Sequence, residues 1–230
     1  MAHIFNDRRE AGRALAALLH SWITTDDLLV LGLPRGGVPV AWEVARTLGA
    51  PLDVCLVRKL GVPGHEELAM GAIASGGLRV LNDALIQQLG IPERLIDDVT
   101  RREEKELQRR ERMFRGDRPE PVLSGRTVIV VDDGLATGAT MLAAVAALRS
   151  AHPARIIAAA PVGATDTCAA LRRAADDCIC AATPEPFYGV GAWYLDFEQT
   201  SDPEVRKILQ QAAGQPATHG GGARGRPPWS

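Results

Sequence analysis

Asp132 and Asp133 stand side by side at the end of the apolar run Val128-Ile129-Val130-Val131. Gly134-Leu135-Ala136-Thr137-Gly138-Ala139-Thr140 follows at once. The run reads as a buried strand, and the Gly/Thr stretch as a turn opening a helix. Such a turn presents unpaired backbone N–H groups and the positive end of a helix dipole, which together make an anion site. Thr137 and Thr140 add hydroxyl donors, and Gly134 and Gly138 let the backbone approach closely. Two carboxylates beside that site would repel a phosphate, so they must face something else. Vicinal sugar hydroxyls donate to acceptor-only carboxylates. A ribose 5-phosphate satisfies both halves, with its phosphate in the turn and its hydroxyls on the acid pair. A phosphate loop of the GxxxxGK[ST] kind needs a Lys after Gly138, where Ala139 stands. No GxGxxG occurs either.

The elements that must position these residues follow from hydrophobic spacing. Residues 7–20 have helical period, with Asp7 placed to start the helix. Residues 28–33, 52–57, 127–133, 155–162 and 178–182 are short apolar runs, as expected of strands buried on both faces. Helices are predicted over 38–49, 92–115, 138–151, 165–175 and 201–212. Pro39 falls in the first turn of the second helix and Gly49 at its end. Thr165 or Asp166 is the expected cap of the 165–175 helix, and Ser201 or Asp202 that of the last. Residues 60–77 read as a mobile loop or hairpin, and 78–81 as a short strand. Strands alternating with helices predict an α/β fold with a mainly parallel sheet. Ligands then bind beyond the carboxyl ends of the strands. That directs attention to 33–37, 58–71 and 132–140.

Composition removes other classes of function. The 230 residues carry 26 Lys+Arg against 28 Asp+Glu, a net charge of −2, which is not the balance of a basic nucleic-acid binder. The charged stretch 101–112 interleaves its cations with four Glu and holds no aromatic, so it reads as a solvated helix. No apolar run approaches the ~20 residues of a membrane helix, and the first residues lack a signal-peptide core. The four Cys form no CxxC pair and are expected to be buried thiols. These points predict a soluble cytoplasmic protein acting on small molecules. One domain is expected over 1–213, with residues 184–200 as an appendage and 214–230 as a disordered tail.

The segment 128–141 resembles the signature for 5-phosphoribosyl 1-pyrophosphate (PRPP) in the type I phosphoribosyltransferases. The wider likeness covers roughly 5–212 and extends to 33–37 and 57–71. The resemblance implies that Asp132 and Asp133 hold ribose hydroxyls and, through them or water, Mg²⁺. It implies that 134–140 holds the 5-phosphate, and that Arg35, Gly36 and Gly37 form a pyrophosphate loop. A Gly turn with a fixed cation also suits pyrophosphate chemically. A cis peptide at Pro34–Arg35 is implied as well. Arg58 and Lys59 would add positive charge on the ligand side. Lys59 is one of only three Lys in the chain. Residues 60–71 would form a closing lid carrying His65, Glu66 and Glu67, with His65 a candidate to protonate the leaving oxygen.

Residues 184–200 would form the hood over the acceptor, with Phe187, Tyr188, Trp193 and Tyr194 as faces for a base; aromatics that merely close the sheet are the competing reading. The implied reaction displaces pyrophosphate from C1 of PRPP by a nitrogen nucleophile, with Arg35, Lys59, Asp132, Asp133 and His65 as the catalytic candidates. A homodimer is the usual assembly in this family. A catalytically silent regulator of the same fold, binding PRPP or a nucleotide, is the alternative. The intact 33–37 loop and the full-length 60–71 stretch favour the enzyme.

Overall fold

The computed structural model describes residues 5–22 and 27–214. The tail expected beyond 214 lies outside them. Helix α1 (Arg8–Trp22) starts where Asp7 accepts from the Glu10 N–H at 2.7 Å. Strand β1 (Leu28–Gly32) leads through a turn to α2 (Gly37–Leu48), which ends at Gly49 with φ 63°. Strand β2 (Leu52–Val54) is shorter than the predicted 52–57. The chain leaves the sheet after Val54: the Cys55 N–H still donates to Gly32 O, and Leu56 already pairs with Ser75.

Val57 therefore opens a second sheet, of β3 (Val57–Val62), β4 (His65–Ala74) and β5 (Leu78–Leu81). Both of its pairings are antiparallel. The ambiguous stretch 60–77 is thus a hairpin. Helix α3 (Asp83–Leu89) was not expected from the sequence, although Asn82 caps it by accepting from the Leu85 N–H and Gly90 ends it at φ 59°. Helix α4 (Glu93–Arg115) carries the charged stretch, and Asp98–Arg101 and Glu106–Arg109 pair along it three residues apart.

Strand β6 (Thr127–Val131), α5 (Ala139–Arg149), β7 (Arg155–Val162), α6 (Thr165–Ala174), β8 (Asp177–Ala182) and α7 (Asp202–Ala213) follow within the described residues. The N-cap of α6 is Ala164, without a side-chain bond, so neither Thr165 nor Asp166 caps it. Thr165 instead donates to Glu185. Ser201 does cap α7, accepting from the Glu204 N–H.

The main sheet runs β2-β1-β6-β7-β8, all parallel. Strands β1, β2 and β6, and β7 beyond Arg155, are buried on both faces, while the edge strand β8 is only partly buried and exposes Ala181. Side chains alternate across the sheet. Leu28, Val30, Ile129 and Val131 join one core with residues of α1, α2 and α7. Leu29, Leu31, Val128 and Val130 join another with Met141, Val145 and Leu148 of α5. The helices after β1 and β6 therefore lie on opposite faces. The sheet's topological switch falls between these two adjacent strands, where α/β folds open a ligand crevice.

Candidate functional site

Two turns flank that crevice, 33–36 after β1 and 132–138 after β6. They touch. A Cβ on Gly36 would lie 1.9 Å from Asp133 Oδ2, and one on Gly37 would lie 2.5 Å from Val131 O and 2.9 Å from Asp132 Cα. Only glycine lets the first turn pass so close to the acid pair. The Pro34–Arg35 peptide is cis. Leu33 N–H bonds Val131 O at 2.8 Å, tying the two turns at their base.

The carboxylates lie partly buried. Asp132 accepts the Asp133 N–H at 2.9 Å through Oδ1. Removal from water and the neighbouring Asp133 charge push Asp132 well above the ordinary carboxylate range. Burial also raises Asp133, against the pull of Arg8. Arg8 Nε donates to Asp133 Oδ2 at 2.8 Å and Nη1 to Glu198 O at 2.6 Å, and its guanidinium lies 4.0 Å from the centre of the Phe197 ring. Tyr194 donates its hydroxyl to Asp133 O at 2.6 Å. Such a crowded acid pair is suited to a partner that brings hydroxyl donors or a hard cation.

Beyond the acids, Leu135 anchors the turn. Its side chain is buried and its N–H donates to Val162 O. Gly138 stands at φ 67°, and α5 begins at Ala139. Thr137 and Thr140 are exposed at the mouth. Val190 presses on the turn from 184–200, 2.3 Å from where a Gly134 Cβ would be.

The sequence profile of the phosphoribosyl transferase domain matches residues 64–185, just over half of the chain. The chain belongs to the phosphoribosyl transferase family. Two Mycobacterium tuberculosis proteins, MT0597 and Rv0571c, provisionally named as phosphoribosyl transferases, are each 47% identical over 209 residues. The match takes in 91% of this chain and 47% of theirs, so this chain spans about half the length of those relatives. The crystal structure of TT1426 from Thermus thermophilus superposes with a TM-score of 0.84 at 41% identity. It covers 91% of this chain and 99% of that one.

The structure brings the Arg35-Gly36-Gly37 turn beside Asp132, Asp133 and the 134–140 turn, while the Arg35 side chain reaches α7, with Nη1 3.9 Å from Asp202. It separates Arg58 from Lys59. The two alternate on β3. Arg58 turns to α4, where Glu103 holds it through Nε at 2.8 Å. Lys59 faces the other way, into an open depression shared with Ala139 and Leu142 of α5. The expected pair of cations thus reduces to one on the turn's side.

His65 and Glu66 are exposed at the β3–β4 tip, and Glu66 accepts the Gly64 N–H. No contact among the described residues joins that tip to the acid pair. The side chain of Glu67 lies outside the described residues.

Trp193 and Tyr194 are not free faces for a base. Both are buried, at 8% and 2% exposure, and pack with Phe5 and Val162. Tyr194 is spent on the Asp133 carbonyl and on rings of Phe5 and Phe197. Phe187 is half-buried against Trp193, with ring centres 6.4 Å apart, and Tyr188 is exposed. Leu135 is likewise a strut, since its N–H is already bonded within the sheet.

Sequence reasoning missed Arg8. One arginine in an Arg/Glu-rich helix start carries no sign of a partner 125 residues away. Among the described residues, no helix is long and apolar enough to cross a membrane.

Proposed function

We propose that the protein transfers the 5-phosphoribosyl group of PRPP to a nitrogen acceptor, a nucleobase by preference, with release of pyrophosphate. The contact of Gly36 with Asp133 carries this reading. It sets the glycine turn directly beside the acid pair at the carboxyl ends of β1 and β6, so that one ligand can meet both. Asp132 and Asp133 hold the ring hydroxyls. The N–H groups from Ala136 onward, with Thr137 and Thr140, hold the 5-phosphate at the start of α5.

Arg35, Gly36 and Gly37 hold pyrophosphate, and Lys59 approaches from β3. Leaving-group charge then develops where fixed donors already point, so positioning and electrostatics supply the rate. The hairpin β3–β4 closes over the ring and keeps water from the cationic carbon. His65 rides on that hairpin and reaches the leaving oxygen only on closure. Phe187 and Tyr188 remain as faces for the acceptor.

Mg²⁺ fits the donor set, because two crowded carboxylates are hard oxygen ligands whose mutual repulsion a cation relieves. Asp132 and Asp133 would hold it directly or through ribose hydroxyls and water. Bound there, it would neutralise pyrophosphate charge. The same reading makes the protein a cytoplasmic homodimer, and light scattering measures the assembly.

A panel of nucleobases and small amines, each with PRPP and Mg²⁺, tests the function through pyrophosphate release. One acceptor that drives release above the PRPP-only rate supports the transferase. Tight PRPP binding with no turnover on any acceptor would make the protein a regulator instead.

A further inference from the structure

Three of the four cysteines converge away from the carboxylates. Cys168 lies on α6, and Cys178 and Cys180 stand two apart on β8, which turns them to the same face. Their Sγ atoms all lie within 4.8 Å of one another. No other group of three His, Cys, Asp or Glu among the described residues gathers its ligand atoms this way. Cys168 and Cys180 come within 2.7 Å, Sγ to Sγ.

Cys168 and Cys178 sit in the second core beside Leu135 and Leu171, with Cys180 packed against it. Gly163 leaves the room: a Cβ there would lie 2.6 Å from Cys168 Sγ and 3.1 Å from Cys180 Sγ. Hydrogen bonds among the three thiols, with the charge of Arg172, favour the thiolate at Cys168 and push Cys178 and Cys180 the other way. Cys168 and Cys178 are buried and Cys180 is half-buried, which leaves one side open for entry. A disulfide would use two of the sulfurs and leave the third unexplained.

We propose that Cys168, Cys178 and Cys180 form a binding site for a thiophilic cation of the zinc class, with a fourth position open to water or an outside ligand. Bonds of about 2.3 Å set tetrahedral sulfurs about 3.8 Å apart, so the Cys168–Cys180 pair opens by about 1 Å on loading. Cys178 and Cys180 give up their protons as the ion enters. The loaded site carries one net negative charge, which Arg172 offsets.

The site lies directly behind the 134–140 turn. Gly163 forms a β-bridge with Leu135, and Thr167, beside Cys168, donates to Ala136 O. An ion there braces the turn from below.

The test uses the full chain, reduced and stripped of metal, titrated with Zn²⁺ alone against a chromogenic chelator. One equivalent should bind, and the thermal midpoint should rise with zinc. Co²⁺ in its place should show sulfur-to-cobalt charge-transfer bands. Cys168→Ser and Cys180→Ser should each weaken zinc by more than the roughly 10–100-fold that loss of a supporting hydrogen bond costs. Cys55→Ser, at a thiol outside the trio, should leave zinc affinity and stoichiometry unchanged. No zinc uptake by the reduced wild type overturns the proposal, as does uptake that survives both serine variants. A Cys168–Cys180 disulfide in a chain that takes up no zinc does so too.

Discussion

Arg8→Met removes the one cation that contacts the acid pair in the described structure. The Arg8 side chain is 12% exposed and that of Asp133 16%, so water can replace little of what is lost. The charged hydrogen bond to Asp133 is worth about 1.5–3 kcal/mol. The cation–π contact with Phe197 adds about 0.5–1 kcal/mol. Breaking a buried pair costs about 3–5 kcal/mol when the remaining charge has no escape. Asp133 does have one, because it can take up a proton. The expected loss is therefore near the lower end, about 3 kcal/mol, which a domain of ordinary stability survives.

The same escape sets the pH dependence. Burial already raises Asp133 above its ordinary value, and Arg8 opposes the rise. Without Arg8 the folded pKa climbs further. A raised folded pKa means that the native state holds a proton the unfolded chain has released, so stability falls as pH rises through it. The deficit of the variant should be full at about pH 8 and smaller at about pH 5. Urea unfolding of both proteins at the two pH values measures this. A loss below about 1 kcal/mol at the higher pH, or a loss equal at both, would refute the reasoning.

Gly36→Ala keeps an allowed backbone, at φ −63°, but drives its Cβ into Asp133 Oδ2. It should cost about 1–3 kcal/mol and weaken PRPP at least about tenfold in calorimetry. Asp132→Asn keeps an acceptor for the Asp133 N–H while removing a carboxylate held well above its ordinary range. It should stabilise the ligand-free protein at about pH 8 and lose that gain near about pH 4, where the wild-type acid is protonated, as thermal melts would show. Tyr194→Phe loses the 2.6 Å bond to Asp133 O and should lower stability by about 1 kcal/mol with acceptor preference unchanged. A changed preference would return Tyr194 to the acceptor site.

The parallel sheet was legible because Leu28–Gly32, Thr127–Val131 and Arg155–Val162 are apolar almost throughout, the mark of strands covered on both sides. The acid pair and its turn were legible because their chemistry is local: strand end, two carboxylates, glycines and a helix start within 13 residues, Val128 to Thr140. What escaped was set by tertiary contact. Arg58 and Lys59 look alike as neighbours, and only the strand's alternation sends one to Glu103 and the other toward α5. Trp193 and Tyr194 resemble a base platform until Phe5 and Val162 are seen to cover them. The second sheet was hidden in the glycines of 60–77, which blur any period. The three thiols come from a helix and a strand, so their spacing along the chain spelled no ligand motif.

The central claim is that Asp132 and Asp133 receive the ribose of PRPP. Calorimetric titration of PRPP with Mg²⁺ into the wild type and into Asp132→Asn/Asp133→Asn tests it most directly. Loss of the charged hydrogen bonds, about 1.5–3 kcal/mol each, should weaken PRPP by about 100-fold or more while circular dichroism shows the fold retained. Equal affinity in the folded double variant would contradict the account.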